Sequence, residues 1–563
     1  MSGSTFPIGK KPIGKKITGF CENCRKHPFI TLIIPLLIFL IAFIPRIIDL
    51  GTGLTIDERN WLLRGPRFIH AVLEGNFIQT YVSYHPGVTT NWLSGLFMGF
   101  FSQPGMDFSQ TLSIARFPVA LVTSLGIILM YFLIKGLFHE KIAILASVLI
   151  ALDPFYLAHS RFIHTDALVT TFMIISLLAF LLYLRKPDRI FFLMITGGFL
   201  GLAILTKQTA ECLILFFLVS LIILYLITSY QTTPDLKKTI TGCFSAAFLS
   251  RTLKPFLIIL GIAGLVFVLL WPAMWVAPVG TVQNLMNGLE SVVENPHEND
   301  GFFMGQSMPT DELGPLFYPV VILMKVTPLT LIFSVFCIVF VLGLFRKTKF
   351  SELNLTVMLF ALFILLIYVL MTIGEKKMDR YMLPLFPVID ILAALGLCFC
   401  ASLITGQLGK THKNLSEVLT SNKNQFFGIA IICIVLLQAA LLVPITPYFL
   451  SYSNPVVLGG PQHSQDYILI GWGEGMDLAA AYLNNKTSAE NLTVFQQYPG
   501  LSYYFKGKTT NISASADYIV FYSCQVQRHK DKNVWALYKN KTPEKVIVIN
   551  NIEYCWIYPK DPQ

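Results

Sequence analysis

Asp57 and Glu58 stand side by side in the run Thr55–Gly65 (TIDERNWLLRG), where a hydrophobic stretch gives way to a polar one. Beyond them, Trp61, Leu62, Phe68, Ile69 and Val72 recur at helical spacing, so residues 57–74 read as an amphipathic helix lying on a membrane surface. Acidic residues at a helix start can simply cap its first turn and favour its dipole. A carboxylate there can also act as general base towards a hydroxyl. Asp166, in His164-Thr165-Asp166-Ala167 at the mouth of another apolar run, has the same two readings. A carboxylate entering lipid is costly, which points to pairing or function.

Cations accompany these acids. Arg59, Arg64, Arg67, Arg116, Arg161, Lys207, Lys376, Lys377 and Arg380 all fall on the side of the membrane that the positive-inside rule leaves poor in basic residues, and Lys325 falls inside an apolar run. Snorkelling accounts for one or two such residues. A whole set suggests an anionic ligand, with phosphate the natural candidate. Tyr84-His85-Pro86-Gly87-Val88 is a chain reversal that puts His85 at a turn, where a ring N–H can face a phosphate. Glu294, His297 and Glu298 cluster in an acidic, Gly/Pro-containing loop that reads as acceptor recognition or a lid, or as a plain solvated loop. Carboxylates and cations at headgroup depth are the parts that glycosyl transfer from a lipid phosphate requires. The phosphate is already a weakly basic leaving group, so one carboxylate suffices, unlike the two of a glycoside hydrolase.

What must position these residues is a membrane. Of 563 residues, 54% are hydrophobic and 13% charged, about half the charged share of a soluble domain. Eleven apolar runs centre on 29–48, 113–134, 141–159, 166–184, 190–206, 211–229, 255–275, 316–344, 353–373, 380–405 and 427–449. The expected fold is therefore mainly α, a polytopic helical bundle with interfacial helices in its first outer loop. The net charge of +10 is spread over short loops rather than gathered in one basic domain, which argues against a nucleic-acid partner and for anionic lipid. Lys10, Lys11, Lys15, Lys16, Arg25 and Lys26 put the N-terminus in the cytoplasm, and 276–315 holds no Lys or Arg. Three regions follow: a basic tail 1–28, a membrane domain 29–449 with outer loops 50–112 and 276–315, and an outward C-terminal region 450–563. In the last, Asp517–Tyr522, Val546–Asn550 and Tyr554–Tyr558 read as strands and 475–484 as a helix, a small α/β domain that binds acceptor or serves as a cap. Gly471-Trp472-Gly473-Glu474-Gly475 reads as a turn before that helix. Cys524 and Cys555 can pair if the region lies outside the cytoplasm. Cys21 and Cys24 have no second ligand pair for zinc.

Together these motifs resemble those of GT-C glycosyltransferases, nearest the protein O-mannosyltransferases and the lipid A aminoarabinose transferases. Asp57–Glu58 resembles the family's first-loop acidic motif. Tyr84-His85-Pro86-Gly87 is similar to its His-Pro-Pro-Leu turn, with Gly87 and Val88 in place of Pro and Leu. His164-Thr165-Asp166-Ala167-Leu168 resembles its second acidic site, Leu205-Thr206-Lys207 its Leu-Thr-Lys stretch, and Lys377–Pro384 (KMDRYMLP) its Arg-Tyr-Leu-Leu-Pro stretch. The resemblance covers residues 30–400. It implies that Asp57 activates the acceptor, that Glu58 helps hold it, and that Asp166 belongs to the catalytic group. His85, Lys207, Lys377, Arg380 and Tyr381 would lie at the donor phosphate. It further implies a polyprenyl-phosphate-linked sugar donor, a lipid, glycan or protein acceptor, inversion, a multi-pass protein of the plasma membrane, and no required cofactor. A related branch, the oligosaccharyltransferases, uses a divalent cation, so a metal stays open. A transporter or flippase for lipid-linked sugars would put charges near the midplane on repeated halves, and no inverted repeat is visible. A receptor would need the cations without the carboxylates.

Overall fold

The computed structural model describes residues 28–83, 86–232, 234–235, 245–294, 297–345, 351–411 and 423–560. The tail 1–27, with Cys21 and Cys24, lies outside the described residues, as does His85. Helices stand at all eleven expected runs. Seven are long and apolar enough to cross a membrane: Phe108–Leu137, Thr165–Arg185, Gln208–Thr232, Ala246–Leu270, Glu352–Ile373, Asp379–Thr405 and Asn424–Ile445. The chain is a multi-pass membrane protein. Thr165–Arg185 is apolar on every face and is the most deeply buried of the seven, as a helix without a polar stripe must be. The short run at 190–206 forms a complete helix, Ile190–Thr206, fitted closely against Ile259–Ala263 through Gly197 and Gly201.

Two expected single spans are broken. The run 141–159 divides at Asp153, which ends Glu140–Leu152 and caps Pro154–His159 by accepting the Tyr156 N–H at 2.7 Å. The run 316–344 bends by 118° between Phe317–Lys325 and Pro328–Gly343. Pro328 supplies no N–H and biases the residue before it away from helix. Lys325 therefore sits at a bend rather than within a straight span. Its ammonium donates to the carbonyls of Leu450 (3.1 Å) and Tyr452 (2.9 Å).

Charged residues gather at both ends of the helices. At one end of the bundle Lys135 pairs with Glu140, and Arg185 meets Thr356 and Glu352. At the other end come together Asp57, His164, Lys207 and Arg380. In the segment 50–112 Glu58–Leu73 packs against a second helix, Val88–Phe101.

The loop 276–315 is less free than a flap. It begins as the helix Pro278–Glu294 and ends in a hairpin of β1 (Gly301–Phe303) and β2 (Gln306–Met308). Phe303 bridges to Ile468, the Met304 N–H donates to the Tyr467 carbonyl at 3.0 Å, Arg528 donates to the Asp300 carbonyl at 2.7 Å, and Lys377 to that of Asp311 at 3.1 Å. The hairpin is clasped between the membrane domain and the C-terminal region, with Phe302 buried in protein.

The C-terminal region forms a five-stranded sheet of β3 (Thr493–Gln496), β4 (Lys508–Thr510), β5 (Tyr518–Tyr522), β6 (Lys545–Ile549) and β7 (Ile552–Pro559), ordered β4-β3-β5-β7-β6. β3 runs parallel to β4 and β5, and β7 antiparallel to β5 and β6. The helix Met476–Asn484 matches expectation, and β3 and β4 are additional to the expected strands. Cys524 and Cys555 are buried free thiols, not a disulfide: Cys555 faces Tyr522 across the β5–β7 ladder.

Candidate active site

The acidic doublet is divided by its local geometry. Thr55 and Glu58 satisfy one another at the helix start: the Thr55 N–H donates to the Glu58 carboxylate at 3.0 Å, and the Glu58 N–H to the Thr55 hydroxyl at 3.4 Å. Glu58 also takes Arg116 through Nε (2.7 Å) and Nη2 (2.6 Å), and the Ile163 N–H at 2.8 Å. It is completely buried. Arg116 spends its remaining N–H groups on the carbonyls of Leu50, Thr52 and Gly53. Glu58 therefore fastens the segment 50–58 and has no surface with which to hold an acceptor, contrary to what the resemblance implied.

Since Glu58 does the capping, Asp57 is released from it. Asp57 occupies the N-cap position but makes no side-chain cap bond. Its side chain is 34% exposed, with Arg380 Nη2 at 3.0 Å and His164 Nε2 at 3.5 Å from Oδ2. Burial pushes its pKa up, but the His164 hydrogen bond and the Arg380 charge outweigh it and hold the carboxyl below the usual range. Asp166 is the buried anchor behind it. Lys207 donates to Oδ1 at 2.6 Å, while His164 Nδ1 (2.6 Å) and Arg380 Nε (3.4 Å) lie against Oδ2. Burial pulls the His164 pKa down, but the Asp166 carboxylate more than reverses this and leaves it above the ordinary imidazole value.

Asp57 lies in the wall shared by two cavities. One, of about 230 Å³, is lined by Arg64, Lys207, Lys376, Arg380, His164 and Tyr381. Lys207 sits 4.5 Å over the Tyr381 ring, so that tyrosine walls the cavity and steadies the lysine. The other, of about 290 Å³, runs beneath the C-terminal region and the β1–β2 hairpin. His297 borders both, and burial pushes its pKa down, towards a neutral ring. Glu298 is exposed and does not line either cavity. The side chain of Glu294 lies outside the described residues.

The remaining wrong-side cations divide between this site and the scaffold. Arg161 donates to the Pro45 carbonyl at 2.6 Å and to that of Ile48, closing the end of the first span. Arg59 donates to the Tyr503 hydroxyl at 2.9 Å, and Arg67 is exposed. Lys377 lines the larger cavity, with its ammonium turned to the Thr310 and Asp311 carbonyls rather than to the cationic cavity. Expecting the whole set to face one anion overlooked how many backbone carbonyls a loop-rich membrane boundary must satisfy. Among the described residues, no group of three or more His, Cys, Asp or Glu side chains is gathered to hold a metal ion.

Gly87 departs from the family turn for a local reason. Its φ is +53°, which proline cannot adopt, and a Cβ there would fall 2.2 Å from the Trp61 ring.

The sequence reading missed the contribution of the C-terminal region. Trp472 lies with its ring 4.5 Å from the Arg380 guanidinium and edge-on to His164 at 5.3 Å. The signal was the alternation of glycines around it. Gly471, Gly473 and Gly475 all have positive φ, and a Cβ on Gly473 would strike the Leu54 carbonyl oxygen at 2.0 Å. The glycines let this loop press onto Leu54 and Thr55 and deliver Trp472 to the site.

Residues 85–253 match the family model described as dolichyl-phosphate-mannose-protein mannosyltransferase. No curated protein sequence matches the chain significantly. Among solved structures, the chain is similar to an oligosaccharyltransferase from Archaeoglobus fulgidus, at 15% identity and TM-score 0.46, over 87% of this chain and 69% of that one. It is similar to ArnT from Cupriavidus metallidurans, solved bound to undecaprenyl phosphate, at 14% identity and TM-score 0.46, over 94% and 97%. It is also similar to the S. cerevisiae protein O-mannosyltransferase Pmt1-Pmt2 complex bound to its sugar donor, at 18% identity and TM-score 0.34, over 48% and 38%. The stretch matched by the family model contains His85, Asp166 and Lys207 and leaves out Asp57 and Arg380.

Proposed function

We propose that the protein is an integral-membrane glycosyltransferase that moves a sugar, a hexose such as mannose or a modified sugar, from a polyprenyl phosphate to a hydroxyl of a lipid, glycan or protein acceptor at the outer face of the plasma membrane. The observation that carries this reading is the position of Asp57, in the wall between a cation-lined cavity and a second cavity. The family description, which names a dolichyl-phosphate mannose donor, supports the donor class.

The donor phosphate occupies the cationic cavity, held by Arg64, Lys207, Lys376 and Arg380. The acceptor oxygen attacks the anomeric carbon from the side opposite the phosphate, with inversion. Its proton passes to Asp57, and the carbon–oxygen bond to phosphate breaks with its electron pair leaving on the phosphate, where the cations stabilise the charge. In the free protein Arg380 spends itself on Asp57 and Asp166. A bound phosphate draws on the same guanidinium, which relaxes its hold on Asp57 and makes that carboxylate more basic when donor is present. Asp166 keeps His164, Lys207 and Arg380 in register.

The test supplies a polyprenyl-phosphate hexose and compares wild type with Asp57→Asn for release of carrier phosphate. Equal release by the two removes Asp57 as base. Rates measured with EDTA and with added Mg²⁺ or Mn²⁺ decide whether a divalent cation joins Arg380 and Lys207 at the two carboxylates: a rate that EDTA abolishes and metal restores adds a cation to the site, and an unchanged rate leaves the charge to the side chains.

A further inference from the structure

The cavity beneath the C-terminal region holds hydrogen-bonding groups that the transfer step leaves unused. His159 lines it while 1% exposed, and neither ring nitrogen has a hydrogen-bond partner. The ring is wedged edge-on against Phe155 and Phe162 and lies 5.7 Å from Trp472. A buried imidazole without partners forfeits its hydration for nothing in return, so a group that restores those bonds is expected in the space it borders. Lys325 lines the same cavity with two of its three N–H groups spent on backbone carbonyls. Glu474, 5% exposed, also lines it, with one carboxylate oxygen taken by the Trp472 N–H at 2.6 Å. Lys325 and Glu474 make no direct ion pair with one another, and their unused hydrogen-bonding positions again favour a ligand that supplies donors and acceptors.

The chemistry of that ligand follows from the lining. Lys325 and Glu474 offset one another, so the site selects no net charge. The lining presents both hydrogen-bond donors and acceptors, and Tyr498 and Phe302 add aromatic surface. An uncharged ring with hydroxyls around its edge and apolar C–H faces fits this mixture, whereas a phosphate or an acyl chain does not. The cavity reaches Asp57, where the anomeric carbon must lie in the proposed reaction.

We propose that this cavity is a pyranose subsite in which His159, Lys325 and Glu474 read the sugar hydroxyls. The C-terminal region, through Glu474 on its glycine-rich loop, thereby takes part in choosing the sugar. The inference rests on Asp57 as the reaction centre. The sugar is that of the donor or that of a glycan acceptor, two sources of one chemistry.

The test measures binding to the full-length detergent-solubilised protein and to two variants. His159→Phe keeps a ring of similar shape and removes both nitrogens. Glu474→Gln keeps the shape and removes the charge, and serves if His159→Phe does not fold. The probes are unglycosylated undecaprenyl phosphate, undecaprenyl-phosphate hexose, and methyl mannoside, glucoside and galactoside added to protein saturated with undecaprenyl phosphate. If the subsite takes the donor sugar, each variant binds the glycosylated lipid about tenfold more weakly, the loss of roughly one hydrogen bond, and the bare lipid as wild type does. If it takes an acceptor sugar, affinity for both lipids is unchanged and that for one of the methyl glycosides falls about tenfold. Variants that bind every probe as wild type overturn the subsite while leaving the lipid-phosphate reading standing. If wild type ignores both lipids yet binds a glycoside that the variants lose, the subsite stands and the lipid-phosphate reading falls. Wild type that binds no probe overturns both.

Discussion

The two cavities that meet at Asp57 differ in how they treat charge. Towards the helices, Arg64, Lys207, Lys376 and Arg380 face a single carboxylate, Asp57. Towards the C-terminal region, Lys325, Lys377, Arg380 and Arg528 are interleaved with Asp57, Asp300, Asp379 and Glu474. The first is an excess of positive charge, suited to a phosphate. The second is balanced and suited to a neutral polar ring. The lesson is that one doorway residue can serve both because its partners differ on each side. Asp57 lines both cavities, and of its two partners Arg380 borders both while His164 borders the cationic one alone.

The sharpest way to break this comparison is to remove the shared residue. Asp57→Asn is expected to lower kcat by about 10²–10⁴-fold, the usual worth of a general base, while leaving undecaprenyl-phosphate affinity within a few fold. A parallel loss of lipid binding would mean that Asp57 organises the cationic cavity instead of working between the two. Its neighbour provides the contrast. Glu58→Gln leaves Arg116 buried without a counter-charge, and by analogy with broken buried pairs it is expected to cost about 3–5 kcal/mol of stability, read as lost thermal stability in detergent, with little effect on the turnover of whatever fraction folds. The opposite pattern, a stable and inactive protein, would return Glu58 to the chemistry.

A smaller effect probes the charge excess itself. Lys376→Gln removes one cation from the phosphate side alone and is expected to raise the donor KM by about 3–10-fold at low salt, with the difference shrinking as ionic strength rises. A KM unmoved by salt in both proteins would deny the cavity its proposed electrostatic role.

The smallest expected effect is in stability against pH. Asp57 has a lowered pKa in the folded protein, so its contribution is fully present above the unfolded carboxylate value, about 3.9, and is lost as pH falls through the folded value. His164 has a raised pKa, so its contribution is fully present below the unfolded imidazole value, about 6.5, and is lost as pH rises through the folded one. Melting temperatures should therefore be highest between these limits. Asp57→Asn should flatten the acid side, and His164→Gln the alkaline side. Unchanged slopes in both variants would show that these ion pairs contribute no linkage.

Much of the molecule was legible along the chain. Hydrophobic runs about 20 residues long have one stable solution in lipid, so the helices follow from composition and length. Apolar-aromatic runs pointed to β5, β6 and β7, while β3 and β4, at four and three residues, are too short to form such a run. The breaks at Asp153 and Pro328 were present as residues but not as geometry, because a kink is absorbed by whatever packs against it.

What the sequence by itself determined was the inventory: membrane helices, an acidic doublet after the first of them, Asp166, Lys207 and Arg380 at helix ends, and a polar C-terminal region. Only the tertiary structure decided their division of labour. Asp57 and Glu58 differ by one residue and one methylene, yet a helix turns its residues by about 100° per position, which sends one carboxylate to Arg116 in the core and the other to the open wall. Arg116 and Arg380 are equivalent in composition, but one is consumed by backbone carbonyls of residues 50–53 and the other is held at the site between two carboxylates. Trp472 and His159 are more than three hundred residues apart in sequence, and their contact exists only because the C-terminal sheet is carried back onto the helix ends. Such pairings depend on long-range packing, for which local residue type and spacing carry no signal.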